Sequence, residues 1–206
     1  MSTTIEAIIF DLGGVLIDWN PRYVYRTIFD SEEKIDWFFD NICTNDWNEK
    51  QDAGYSLNAA TEELVAQHPE WEAEIRAYYE RWIEMLGGPM HETVNILSNV
   101  KQQEHLSLYA LTNWSHETFP VALERFEFLQ WFDGIVVSGE EKTRKPFPEF
   151  YQKLLERYNI DPARAIFIDD NLRNVKAAED AGIHGIHFLN AKQLSDELRK
   201  FHVEVK

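Results

Sequence analysis

The 206-residue sequence predicts a doubly wound α/β fold, a parallel sheet covered by helices on both faces, with an all-helical segment inserted near its start. Three observations carry this prediction. Short, almost wholly apolar runs recur along the chain, the pattern of strands buried on both faces. Between the later runs lie amphipathic stretches with apolar residues at i, i+3 and i+4. From residue 20 to about 88, no convincing strand pattern is present.

The first run is Ile5 to Phe10. Others follow at Leu106–Leu111, Gly134–Val137, Ala165–Ile168 and Gly185–Phe188. Helices are expected at His116–Glu127, Pro148–Tyr158, Leu172–Ala181 and Ala191–Phe201, and Gly182 marks the third one's end. Strand–helix alternation with short connections implies parallel βα units. In the inserted segment, Asn20-Pro21 reads as a helix start and Asp30-Ser31-Glu32-Glu33 as a capping box with Asp30 as cap. Helical patterns continue through Leu57–Gln67 and Pro69–Leu86, until Gly87-Gly88. The expected division is therefore a sheet domain of residues 1–17 and 89–206 with a helical cap at 18–88. Trp37, Trp47, Trp71 and Trp82 fall in the cap and Trp19 at its edge. Their expected role is packing in its core; the alternative is that one or two line a substrate pocket between insertion and sheet.

Hydrophobic residues make up 44% of the chain and charged ones 27%, an ordinary globular balance that excludes collagen-like and mainly disordered classes. The net charge of −16 opposes binding to a phosphate backbone, so no nucleic-acid partner is expected. Cys43 is the single cysteine and cannot form an internal disulfide. No apolar run approaches the length of a bilayer span, and Met1-Ser2-Thr3-Thr4 lacks the basic and apolar regions of a signal peptide. The expectation is a cytoplasmic protein without a membrane partner.

Polar residues that carry chemistry follow the predicted strands. Asp11 ends the first, Thr112-Asn113 the second and Asp169-Asp170-Asn171 the fourth, while Lys145-Pro146 lies after the third. Ligands of open parallel sheets bind beyond the carboxyl ends of the strands, so these segments should converge on one crevice. Asp11 and Asp170 suit a hard cation, Thr112 and Asn113 offer short donors, and Lys145 supplies a point positive charge. Taken singly, each has an ordinary role as a turn, cap or solvated residue; their joint order at strand ends argues for phosphoryl transfer to a carboxylate.

Phe10-Asp11-Leu12-Gly13-Gly14-Val15-Leu16, Leu111-Thr112-Asn113, Lys145-Pro146-Phe147-Pro148 and Phe167-Ile168-Asp169-Asp170-Asn171 resemble the four signature motifs of the haloacid dehalogenase superfamily. The helical segment is similar to that superfamily's C1 cap. The Gly-Gly and Asp-Asp forms look most like its sugar-phosphate phosphatases, a branch that includes α-D-glucose-1-phosphate phosphatase-like enzymes. The resemblance implies that Asp11 is the nucleophile and that Mg²⁺ is held by Asp11, the Gly13 carbonyl and Asp170. Asp169 would ligate through water or orient its neighbour. Thr112, Asn113 and Lys145 would bind the phosphoryl group of a small phosphorylated metabolite, Lys145 also screening Asp11.

One position departs from the motif. Most phosphatases of the superfamily carry a second aspartate where Gly13 stands, as general acid and base. An anomeric leaving group would need that acid least; alternatively Asp18, His116 or a cap residue replaces it. Two other readings stay open. A 2-haloacid dehalogenase needs neither metal nor acid but does need a cationic cradle, for which Arg22 and Arg26 are the nearby candidates. A non-catalytic binding protein would keep the fold and lose turnover.

Overall fold

The computed structural model describes residues 4–205; Met1–Thr3, part of the segment read as lacking a signal peptide, lie outside the described residues. The chain enters through β1 (Ala7–Phe10) and turns at Leu12, whose carbonyl accepts from Leu16 and Ile17. It leaves the sheet through β2 (Ile17–Trp19). Five helices follow: α1 (Arg22–Tyr25), α2 (Glu32–Asn41), α3 (Asn45–Asp52), α4 (Leu57–Gln67) and α5 (Glu72–Glu80). β3 (Leu86–Pro89) then pairs antiparallel with β2, so the helical segment leaves and rejoins the sheet region through a two-stranded ribbon.

The remainder alternates as expected: α6 (His91–Lys101), β4 (Ser107–Thr112), α7 (Phe119–Arg125), β5 (Gly134–Val137), α8 (Ser138–Glu141) and α9 (Pro148–Tyr158). It continues through β6 (Ala165–Asp169), α10 (Leu172–Asp180), β7 (His184–His187) and α11 (Ala191–Lys200). The five-stranded sheet has order β5-β4-β1-β6-β7 and every pairing is parallel. β1 is central and buried throughout. Its alternate residues feed two cores: Ile8 and Phe10 join Leu97, Leu108 and Leu194 on one face, while Ala7 and Ile9 join Tyr109, Phe150 and Phe167 on the other. That two-sided burial is why the run has no polar position.

The inserted helices hold a third core around Tyr25, Phe29, Phe38, Ile75 and Tyr78. Trp71 packs against Phe29, Phe38 and Trp37. The segment is tied to the sheet domain by polar contacts. Glu49 pairs with Arg144 at 2.5 Å and Arg173 at 2.6 Å, Leu57 N donates to Glu117, and Ser138 Oγ donates to the Asp52 carbonyl. Gly54, at φ +92°, fits directly on Gly139: a Cβ would lie 2.7 Å from the Gly139 oxygen.

Several expectations are corrected. Ser31, not Asp30, caps α2, because its extended backbone lets Oγ accept from Lys34 N. The Pro69–Leu86 pattern is divided, with 3₁₀ turns at Pro69–Trp71 and Trp82–Met85 around α5. Gly87 and Gly88 lie inside β3 rather than in a helix stop. The segment from His116 becomes helical only at Phe119, since Ser115 accepts from Glu117 and Thr118 in a preceding turn.

Candidate active site

The carboxyl ends of β1, β4 and β6 meet beneath α3 and α5 at a cavity of about 390 Å³. Behind the cavity wall formed by Asp11, the fully buried Lys145 places Nζ 2.8 Å from Asp11 Oδ1 and 2.7 Å from Asp169 Oδ2. Asp11 Oδ1 also accepts from Leu12 N, while among the described residues no hydrogen bond reaches Oδ2. Asp169 is fully engaged: Asn171 N and Asn174 Nδ2 donate to Oδ1, and Lys145 and Asn174 to Oδ2. Asp170 is open, and Asn171 rather than either aspartate caps α10.

Asp11, Asp169 and Asp170 each present a carboxylate oxygen within 4.8 Å of the others. Three carboxylates against one ammonium leave a formal charge of −2. Burial therefore pushes the Asp11 carboxyl up to about 7; Lys145 opposes the rise and Asp169 adds to it. Partial burial and Asp169 raise Asp170 too. Burial alone would lower the Lys145 ammonium, but its two carboxylate partners outweigh that and raise it.

Gly13 and Gly14 line the same cavity with opposite constraints. An added Cβ at Gly13 meets nothing within 4 Å. At Gly14, φ is +73° and a Cβ would collide with the Asp170 carboxylate. Thr112 is buried and its Oγ1 has no hydrogen-bond partner. Asn113 lines the cavity, but its carboxamide is committed to the Lys145 main chain, accepting from N at 2.9 Å and donating to O at 3.1 Å. Asn113 is thus a brace for the loop that delivers Lys145.

The walls come from both the inserted helices and the segments that follow the sheet strands. Trp19, Tyr78, Tyr79, Trp82 and Trp114 supply aromatic surface; Asn45, Asn48, Glu49, Asp52 and Arg173 supply polar groups. Of the five tryptophans in or beside the insertion, Trp19 and Trp82 line the cavity, whereas Trp37, Trp47 and Trp71 pack within the insertion. The segment from Asp46 to Tyr55 is the body of α3 followed by the Gly54 turn, and it turns Asn48, Glu49 and Asp52 toward the cavity. Arg173 went unnoticed because it lies one residue into α10, beyond the motif. Asp18 accepts from Tyr23 Oη and His116 is exposed; neither lines the cavity. Arg22 and Arg26 are likewise outside it, paired with Glu32 and, for Arg22, Asp36.

A parallel sheet with this insertion, ending in a lysine-bridged carboxylate cluster, defines a class of hydrolase. The haloacid dehalogenase-like hydrolase family model matches residues 5–182, and the chain belongs to that family. A sesquiterpene phosphatase from Aspergillus oryzae is 31% identical over 97% of this chain and 98% of its own. A phosphorylated carbohydrates phosphatase from Thermotoga maritima is 26% identical, covering 89% and 84% respectively. The magnesium complex of a family enzyme from Bacteroides thetaiotaomicron superposes with a TM-score of 0.71 at 23% identity, covering 95% of this chain and 98% of that one.

Proposed function

We propose that the protein is a Mg²⁺-dependent phosphatase that hydrolyses a small phosphomonoester through an aspartyl-phosphate intermediate, with segment 18–88 acting as a cap on the sheet domain of 1–17 and 89–206. The observation that carries this reading is the cluster of Asp11, Asp169 and Asp170 around Lys145. Its charge of −2 matches a divalent cation, and hard carboxylate oxygens suit magnesium. Asp11, Asp170 and the Gly13 carbonyl would hold the ion; Asp169, with its oxygens engaged, positions Lys145 instead. Bound there, magnesium supplies charge neutralisation for the phosphoryl oxygens.

Asp11 attacks phosphorus. Lys145 screens the repulsion between its carboxylate and the incoming phosphate, which otherwise approach as like charges. Thr112 Oγ1, left without a partner, donates to a phosphoryl oxygen, and Asn113 contributes by fixing Lys145. Closure of the aromatic and polar walls excludes bulk water while the acyl phosphate exists.

The cavity volume suits a hexose phosphate, and its mix of rings with Asn45, Asn48 and Arg173 suits a sugar's apolar face and hydroxyls. Such a substrate, for example a hexose 1-phosphate, is our first reading. The five aromatic rings, together with the sesquiterpene phosphatase relative, favour a second one: a phosphate on a prenyl-like apolar chain. A dehalogenase fits less well, because the carboxylate cluster repels a haloacid and Arg22 and Arg26 stand elsewhere. The test is phosphate release from hexose 1-phosphates, hexose 6-phosphates and a prenyl monophosphate, with Mg²⁺ and with chelator. Release from none of them, or release undiminished in chelator, would overturn the reading.

A further inference from the structure

We propose that Asp52, carried by the inserted helix α3, is the general acid and then the general base of this hydrolysis, doing from the cap what a side chain at Gly13 would do from the core. The proposal rests on the phosphatase reading above.

Elimination among the groups around the cavity leads there. Asp11 is the nucleophile and Asp170 belongs to the cation site. Glu49 is locked between Arg144 and Arg173. Burial raises the Tyr78 and Tyr79 hydroxyls, taking them further from any use as neutral-pH acids. The two alternatives legible in the sequence, Asp18 and His116, do not line the cavity. Asp52 does, and it belongs to the same cavity wall as Asn48 and Tyr79.

Asp52 is also held for a task. Tyr79 Oη donates to Asn48 Oδ1 at 3.1 Å, and Asn48 Nδ2 donates to Asp52 Oδ2 at 3.1 Å. This relay orients the carboxyl from one side, and among the described residues no hydrogen bond is found at Oδ1. Its main chain is fastened to the sheet domain by Ser138, and the next turn rests on Gly139 through Gly54. A residue of the insertion is thereby fixed relative to Asp11. The surroundings favour the protonated form: burial pushes this carboxyl up to about 7, Glu49 adds to the rise, and Arg144 and Lys145 oppose it. An acid poised near neutral pH can give a proton in one step and recover it in the next.

The steps balance. As Asp11 bonds to phosphorus, the bond from phosphorus to the leaving oxygen breaks, and that oxygen takes the Asp52 proton to depart as an alcohol. Water then attacks the aspartyl phosphate, giving a proton back to Asp52, and phosphate leaves as the Asp11 carboxylate is restored.

The test compares leaving groups. Single-turnover phosphorylation of wild type, Asp52→Asn and Asp52→Ala is measured with Mg²⁺ at saturating substrate, using a hexose 6-phosphate and p-nitrophenyl phosphate. Both variants should lose about 10²–10³-fold on the sugar alkoxide but less than about 10-fold on nitrophenolate, which leaves without a proton. The inhibition constant of inorganic phosphate should stay near wild type for Asp52→Asn, and its melting temperature should not fall below that of wild type. Adding Gly13→Asp to Asp52→Asn should recover sugar-phosphate turnover, since the space at Gly13 is open. Equal losses on the two substrates, or no loss on the sugar phosphate, would overturn the assignment while leaving the phosphatase reading intact. Failure of the wild type to release phosphate from any substrate would instead overturn that reading, and this assignment with it.

Discussion

Asp11→Asn should abolish turnover and yet, in chelator at about pH 8, make the fold more stable. The reason lies in the burial of this carboxylate, to which its carboxylate neighbours add repulsion. Asp11 is almost fully buried, and its carboxyl is pushed from an ordinary 3.8 to about 7. Between those two values the folded chain retains a proton that the unfolded chain has released. Stability therefore falls as pH rises through that window, and levels off above it. The interval is worth roughly 4 kcal/mol at 1.36 kcal/mol per pH unit. Asparagine cannot ionise, but its oxygen can still accept from Leu12 N and Lys145 Nζ. It removes the ionisation penalty and loses part of the attraction to Lys145, so the expected net gain is about 1–3 kcal/mol at pH 8. The gain should shrink toward zero near pH 4, where the folded wild-type carboxyl is protonated and the unfolded one is close to half so. Saturating Mg²⁺ should reverse the order, because a ligand at 100 times its Kd adds about 2.7 kcal/mol and the variant offers a weaker site. The assay is urea melting between about pH 4 and pH 8, in chelator and in Mg²⁺, with turnover measured alongside. An asparagine variant less stable than wild type at pH 8 in chelator would refute the argument that ionising the buried Asp11 costs the fold stability.

Two further outcomes follow from the surrounding geometry. Gly14→Ala should lose about 1–2 kcal/mol to its left-handed backbone and weaken Mg²⁺ binding by displacing the Asp170 carboxylate, whereas Gly13→Ala should melt as wild type does; equal effects in melting and Mg²⁺ titration would contradict the distinction between their environments. Glu49→Gln should cost about 1.5–3 kcal/mol through its weakened bonds to Arg144 and Arg173 and should speed amide exchange across residues 45–55; unchanged exchange would show that this latch does not hold α3 on the sheet domain.

How much of this was legible in the sequence depended on what each element buries. The sheet strands announce themselves because both faces are apolar: Ala165–Ile168 has no solvent side to mark with a polar residue. The strand-end residues Asp11, Lys145, Asp169 and Asp170 were legible for the complementary reason, as charged groups interrupting apolar context at the ends that topology brings together. α3 was not legible as a helix, since its buried residues are Glu49 and Gln51 and an apolar-periodicity argument has nothing to detect. The β2–β3 ribbon escaped notice because β3 is Leu-Gly-Gly-Pro, with no alternation and a composition that reads as a stop. Asn113 was legible as a site residue but not in its manner of acting, because its carboxamide partners are the main-chain N and O of Lys145, 32 residues away, which only the folded loop brings alongside.

The charge of the site also bears on the chain as a whole. A phosphate dianion approaching a protein of net charge −16 is repelled at long range. The cations around the cavity do little to offset this, because each is already answered: Lys145 by Asp11 and Asp169, Arg144 and Arg173 both by Glu49. A phosphorylated substrate is therefore attracted mainly by whatever neutralises the carboxylate cluster first. On the proposed reading, magnesium occupancy and phosphate binding must favour one another, and by linkage each must tighten the other by the same factor. The chelator arm of the substrate panel should accordingly abolish binding together with turnover. The acidic surface then has a selective effect: it disfavours anions in general, while the cavity admits one only when its cation is in place.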